Sequence, residues 1–288
     1  MKKVSAIVLA LTMCIAALTG CGAASSSASA STSTQTATLS QAAETLSGTL
    51  TLGGSTSVEK VVQAMMEAYM AENQGVTITY APTGSSTGIQ GATDGSLDIG
   101  LSSRGLKDDE KSAGLTETTF ALDGIAVIVN PENTLADINL ETLAKIFKGE
   151  ITNWNEIGGT DSEIVVIGRD AASGTRDGFE SIVGVKEECV YAEEQASTGA
   201  VTASVQSNAG AIGYISLASV NSNVKVLTVD GVEPTEATVK DGTYAIQRPF
   251  VFATKTGAES DLAKAFIDWA VSSKTTDIVA NAGAVPVA

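Results

Sequence analysis

Three times along this chain a short apolar run breaks off in glycine and hydroxyl residues, and each time a helix-period segment follows. "LGGSTSVEK" places Gly53, Gly54, Ser55, Thr56 and Ser57 at such a corner, and "APTGSSTGIQ" places Gly84, Ser85, Ser86, Thr87 and Gly88. "GRDAASGTRDGFE" places Arg169, Ser173, Gly174 and Thr175 at a third. Repeated strand-to-helix corners confine the chain to an α/β architecture with mostly parallel sheets, because strands joined through helices return in the same direction.

The rest of the chain keeps this rhythm. "SLDIGLSS", "GIAVIVNP", "EIVVIGRD" and "AIGYISL" read as further strands, and the continuous apolar run of "GIAVIVNP" suits a strand buried on both faces. Val61, Val62, Met65, Met66 and Tyr69 form a helical stripe, as do Leu140, Leu143, Ile146 and Phe147, with Gly149 as the stop of the latter. "AESDLAKAFIDWAVSS" predicts an amphipathic helix near the end, followed by a short one, and Trp154 between Asn153 and Asn155 reads as the aromatic anchor of a turn-rich loop. "DGIAVIVNP" and "YAIQRPFVFATK" are candidates for crossings between two halves of the body.

At 288 residues and 43% hydrophobic, the chain can bury one large core or two medium ones. A net charge of −16 and a pI near 4.3 argue against nucleic acid as a partner. The chain contains no histidine. That absence removes serine–histidine and cysteine–histidine nucleophile pairs and histidine metal sites. Cys14, Cys21 and Cys189 are spaced for neither a zinc site nor a disulfide framework. No cofactor and no metal are expected.

The N-terminus reads as an address. Lys2 and Lys3 precede an apolar stretch from Val4 to Leu18 and then small residues, the pattern of a secretory signal. "LTGC" at residues 18–21 resembles a bacterial lipobox, which implies a signal peptide over 1–20, cleavage before Cys21, and a lipid (diacylglycerol, palmitate) on that cysteine. The small polar residues that follow predict a flexible linker, so 21–47 are read as lipidated cysteine plus tether.

Each of the three corners leaves backbone N–H groups at a helix N-terminus without an intrahelical partner and adds hydroxyl donors beside them. One such loop alone is an ordinary helix start, since serine and threonine are common caps. Three together, one with Arg169 upstream, predict an enclosed oxyanion site built from helix dipoles, hydroxyls and a forked guanidinium. The acidic surface is no obstacle, because binding depends on donors within a few ångströms inside a closed cleft.

In order and spacing, "GSTSV", "TGSSTGI", "DIGLSSR", "LDGIAVIVNP", "IFKGEITNWNEIGG", "GRDAASGTRDGF" and "GAIGYISL" resemble the phosphate-binding proteins of bacterial ABC importers, within the type II periplasmic-binding-protein superfamily. The resemblance implies a two-lobed α/β fold in which each lobe is a mixed, mostly parallel sheet flanked by helices. Residues 48–125 plus 246–288 form lobe I, 126–245 form lobe II, and two strands make the hinge. It implies phosphate ligands at Ser57 and the Val58 N–H, with Thr56 beside them, at Ser85, and at Arg169, Ser173, Gly174 and Thr175. Better-known members carry an aspartate where this chain has Ser103, so a hydroxyl accepts the anion's proton without repelling sulfate. Arg104 next door either adds charge to the cleft or is a surface arginine, and Asp170 is placed to orient Arg169.

The function expected is that of a lipid-anchored receptor on the outer face of the cell membrane. It captures inorganic phosphate and delivers it to membrane permease subunits, as a monomer that touches the membrane only through its anchor. The alternative is a receptor for another tetrahedral oxyanion: sulfate, molybdate or tungstate. A serine hydrolase using Ser57 or Ser173 would need a lysine or carboxylate base, and Lys60 and Lys145 fall on predicted helices instead.

Overall fold

The computed structural model describes residues 46–288. The expected signal segment, Cys21 with its expected lipid, and the linker through residue 45 lie outside the described residues.

The chain opens with β1 (Gly48–Gly54), α1 (Glu59–Glu72), β2 (Val76–Pro82), α2 (Ser85–Asp94), β3 (Ile99–Ser102), α3 (Asp108–Ser112) and the long β4 (Leu115–Val129). Next come β5 (Asp137–Ile138), α4 (Leu140–Phe147), β6 (Val165–Arg169), α5 (Gly174–Val183), β7 (Glu193–Gln195), α6 (Thr198–Ser207) and β8 (Ala211–Ser216). It closes with β9 (Lys225–Val226), β10 (Thr228–Val229), α7 (Glu236–Lys240), β11 (Gln247–Lys255), α8 (Asp261–Ala270), α9 (Thr276–Asn281) and β12 (Val285–Pro286). Among the described residues no helix is long and apolar enough to cross a membrane.

The main sheet runs β2-β1-β3-β11-β4-β8-β6-β7. Its arms, β2-β1-β3 and β8-β6-β7, are parallel, as helical crossovers require. Its middle is antiparallel: β11 pairs with β3 and β4, and β4 with β8. One strand, β4, therefore serves both arms. Residues 115–124 pair with β11 and 125–129 with β8.

The buried side chains follow the same division. One apolar cluster gathers Leu50, Leu52, Val61, Met65, Ile99, Leu101, Phe120, Phe252 and Phe266. Another gathers Ile125, Val127, Phe147, Trp154, Phe179, Tyr214 and Tyr244. The change from one to the other falls on β4 between Ala121 and Ile125, where Asp123 faces Arg248 of β11. Trp154 is fully buried, and its indole N–H donates to Gly210 O at 3.0 Å, so the turn-rich loop is anchored as its aromatic predicts.

Several elements go beyond the sequence reading, among them the short strands β5, β7, β9, β10 and β12 and the helices α3 and α7. The helix α6 was not foreseen at all. Its segment "TGAVTASVQS" shows only Val201 and Val205 as a stripe among small polar residues, while Ser197 caps it by accepting from Ala200 N at 3.2 Å.

Candidate anion-binding site

The corners meet. β1, β2 and β3 end side by side, so the residues that follow Gly54, Pro82 and Ser102 emerge at one edge of the sheet, while β6 delivers Arg169 and α5 from the other arm. Thr56, Ser57, Ser85, Ser103, Arg169, Ser173 and Thr175 are all buried, the most exposed being Thr56 at 6%. A cluster of buried hydroxyls this dense is costly unless each finds a partner.

They find one another. Ser57 Oγ lies 2.7 Å from Thr175 Oγ1 and 3.1 Å from Thr198 Oγ1. Thr56 Oγ1 lies 3.1 Å from Thr198 Oγ1 and accepts from Thr198 N at 3.3 Å. On the other flank Ser55 Oγ donates to Ser103 Oγ at 2.8 Å, and Ser85 Oγ accepts from Ser103 N at 3.1 Å. Ser86 N donates across to Ala172 O at 3.0 Å, which ties the second corner to the third.

Gly174 explains its own identity. A Cβ there would overlap Ser85 Oγ and stand 2.9 Å from Ser103 Oγ, so the α5 N-terminus approaches those hydroxyls only as glycine. Ser173 caps α5, its Oγ accepting from Arg176 N at 3.3 Å, which leaves its hydroxyl proton to donate elsewhere. Val58 caps α1 with its side chain in the core, so its backbone N–H is what it can offer an anion.

Arg169 is 2% exposed. Its Nε donates to Gln195 O at 3.0 Å, Nη2 to Ala196 O at 3.1 Å, and Nη1 to Thr198 Oγ1 at 3.3 Å. Burial lowers its pKa, with Asp170 acting the other way, yet a guanidinium stays charged at any physiological pH. Its backbone is held as well: Tyr214 Oη accepts from its N–H at 3.3 Å, and Arg176 Nη1 donates to its carbonyl at 2.9 Å. The result is a fixed positive charge beside a ring of hydroxyls, arranged to receive an anion with little reorganisation.

Residues not anticipated complete the cradle. Thr198, from the unforeseen α6, bonds to Thr56, Ser57 and Arg169, and Ser55 supports Ser103. Arg248 reaches the same corner: its Nη1 donates to Ser103 O at 3.1 Å while Nη2 and Nε pair with Asp123 at 3.0 and 3.2 Å. The one signal in the sequence is position, since Asp123 and Arg248 fall in "DGIAVIVNP" and "YAIQRPFVFATK", the two candidate crossings between halves of the body. Arg104 is buried at 5% and is not a surface arginine. A cavity of about 470 Å³ opens beside the cradle, and Thr56 and Thr198 line it together with Glu59, Lys60, Gln63 and Asn221. Lys60 donates to Ala218 O and Lys145 pairs with Glu141, so neither lysine serves Ser57 or Ser173 as a base.

Two sheet arms joined by antiparallel central strands, with helix N-termini from both arms converging on buried donors, define a solute-binding architecture of the type II periplasmic-binding fold. A family model described as "PBP superfamily domain" matches residues 29–274. PstS of Borreliella burgdorferi is 33% identical over 246 residues, covering 81% of this chain and 88% of that protein, and PstS of Bacillus subtilis is 33% identical over 260 residues, covering 86% and 84%. Among solved structures, a phosphate ABC transporter substrate-binding protein from Clostridium perfringens with bound phosphate is 40% identical with a TM-score of 0.81, covering 84% of this chain and 100% of that one. An ABC-type phosphate transport receptor from Vibrio cholerae is 32% identical with a TM-score of 0.69, covering 82% and 99%. The chain belongs to the phosphate-binding-protein (PstS) family of this superfamily. The relatives are substrate-binding transport proteins and not enzymes.

Proposed function

We propose that this protein is an extracytoplasmic receptor that encloses inorganic phosphate in the cradle and hands it to the membrane permease of an ABC importer. The observation that carries the reading is the convergence of three helix starts on Ser57, whose hydroxyl lies 2.7 Å from that of Thr175 and 3.1 Å from that of Thr198, beside buried Arg169. Thr56, Ser57, the Val58 N–H, Ser85, Ser103, Arg169, Ser173, Gly174 and Thr175 are the assigned ligands, with Thr198 added to them. Residues 48–125 plus 246–288 form one lobe and 126–245 the other, an assignment supported by the change of apolar cluster along β4. Anchoring through a lipid on Cys21, action as a monomer, and placement on the outer face of the cell membrane belong to the same reading.

Calorimetric titration of the purified protein with phosphate tests it: absence of both heat and thermal stabilisation at about millimolar ligand rejects phosphate. Arg169→Ala should weaken binding by at least about 2 kcal/mol, because it strips charge from a desolvated anion site. A second reading, a receptor for sulfate, molybdate or tungstate, is favoured by Ser103, whose hydroxyl accepts a proton yet imposes no charge repulsion on an anion that has none. Competition of phosphate with sulfate at several pH values separates the two, since only phosphate changes protonation near neutrality.

A further inference from the structure

Arg104 follows Ser103 directly, and its guanidinium is gripped from one side. Glu110 accepts from Nη1 at 2.8 Å and from Nη2 at 2.6 Å, and Gly105 O accepts from Nη1 at 2.9 Å. The free edge, Nε, stands 3.8 Å from Asp177 Oδ2 on α5. Lys107 Nζ approaches the other oxygen of that carboxylate at 3.7 Å, and Lys186 Nζ lies 3.3 Å from it.

The geometry crosses the molecule's internal division. Leu101 of β3 packs in the first apolar cluster, while Phe179 and Val183 of α5 pack in the second. Arg104 is one residue beyond Ser103 and Asp177 is two beyond Thr175, so this contact ties together the backbones that carry two cradle hydroxyls. Lys186 follows α5 on the same side as Asp177, whereas Arg104 and Lys107 follow β3 on the other.

We propose that Asp177 is a positioning residue that clamps the β3 corner to α5 through Arg104 and Lys107, and so sets how slowly the enclosed anion escapes. The inference rests on the phosphate reading. It carries a sign that simple electrostatics does not. Removing a negative charge near an anion site should tighten binding by Coulomb's law, whereas removing a clamp should loosen it. Asp177 is partly exposed at 27% and Lys107 at 50%, and buried Arg104 keeps Glu110 as its partner, so neutralising either strands no unpaired buried charge.

The test is stopped-flow release of phosphate from the purified protein, in the wild type, Asp177→Asn, Lys107→Gln and the double variant, with calorimetric affinities alongside. The clamp predicts about threefold to tenfold faster release in Asp177→Asn, the range of a modest ion pair, with little change in association or in the ligand-free Tm. Lys107→Gln should act in the same direction but less, and the double variant should lose no more than Asp177→Asn alone. In raised salt the wild type should approach the variant's rate. Affinity unchanged or tightened in Asp177→Asn, or losses that add in the double variant, overturns the clamp while leaving phosphate binding intact. Failure of the wild type to bind phosphate overturns both.

Discussion

The hydroxyl oxygens of Ser57 and Thr175 lie 2.7 Å apart, although 118 positions separate them in the chain. One belongs to the corner after β1 and the other to the first turn of α5, so a single hydrogen bond reports that both arms of the sheet deliver donors to one point. Each hydroxyl has one proton to give. An anion accepting from both replaces a neutral bond with charge-assisted ones, which are the stronger kind.

Thr175→Val keeps the side-chain shape and removes the donor. Phosphate affinity should fall by about 1.5–3 kcal/mol, the range for a hydrogen bond to a charged group. Calorimetry on the variant checks it, and an affinity within twofold of wild type, which is about 0.4 kcal/mol, excludes Thr175 from the ligand set.

Gly174→Ala tests close approach. The added methyl meets Ser85 Oγ and Ser103 Oγ together, and both belong to buried residues with little room to yield. The α5 N-terminus must then retreat from the cradle, so affinity should drop at least about tenfold, or 1.4 kcal/mol, with a smaller effect on Tm. A crystal structure of the variant should show Ser85 displaced; full affinity with Ser85 in place contradicts the assignment.

Much of this arrangement was legible in the chain. The strand-to-helix corners, the apolar stripe from Val61 to Tyr69, the anchoring role of Trp154 and the Arg169–Thr175 donor run follow from local pattern, because glycine, hydroxyl caps and 3.6-residue periodicity act over a few residues. Thr198 was not legible, since its helix is built from small polar residues and is held by Ser197 and by packing of Val201 and Val205, not by a broad apolar stripe. The place of Arg104 stays open in the sequence, and Arg248 has no role there, for another reason. Their buried charges are paired by Glu110 and by Asp123, the latter 125 positions from Arg248, and no helix or strand periodicity announces such a partner.

Glu110 predicts a pH response. Burial works to raise its pKa, but the hydrogen bond from Arg104 and that from Lys107 N outweigh it and hold the carboxyl below its ordinary value of 4.5. A group depressed on folding contributes stability that is complete above the ordinary value and disappears as pH falls through the folded one. Glu110→Gln should therefore lower Tm at neutral pH, and the gap to wild type should close as pH drops below 4.5. A gap that persists in acid means the residue acts through packing alone.

The last prediction concerns Arg248 and Asp123, which face each other across β11 and β4 with 4% and 1% exposure. Burial pushes the Asp123 carboxyl above its usual range even though Arg248, Ser216 and Ala218 N all favour its charged form. Arg248→Met removes the opposing charge and leaves that carboxylate stranded, at a cost of about 3–5 kcal/mol. The stranded group relieves itself by taking up a proton, so the loss should be larger at neutral than at mildly acidic pH. Adding Asp123→Asn removes the stranded charge, and the double variant should be more stable than Arg248→Met alone in urea unfolding at neutral pH. Stability and binding then separate. Even where the double variant regains stability, Ser103 O still lacks its 3.1 Å donor, so phosphate affinity should stay reduced. Full recovery of affinity together with stability would show that Arg248 serves only the fold and that the Ser103 corner holds its place without it.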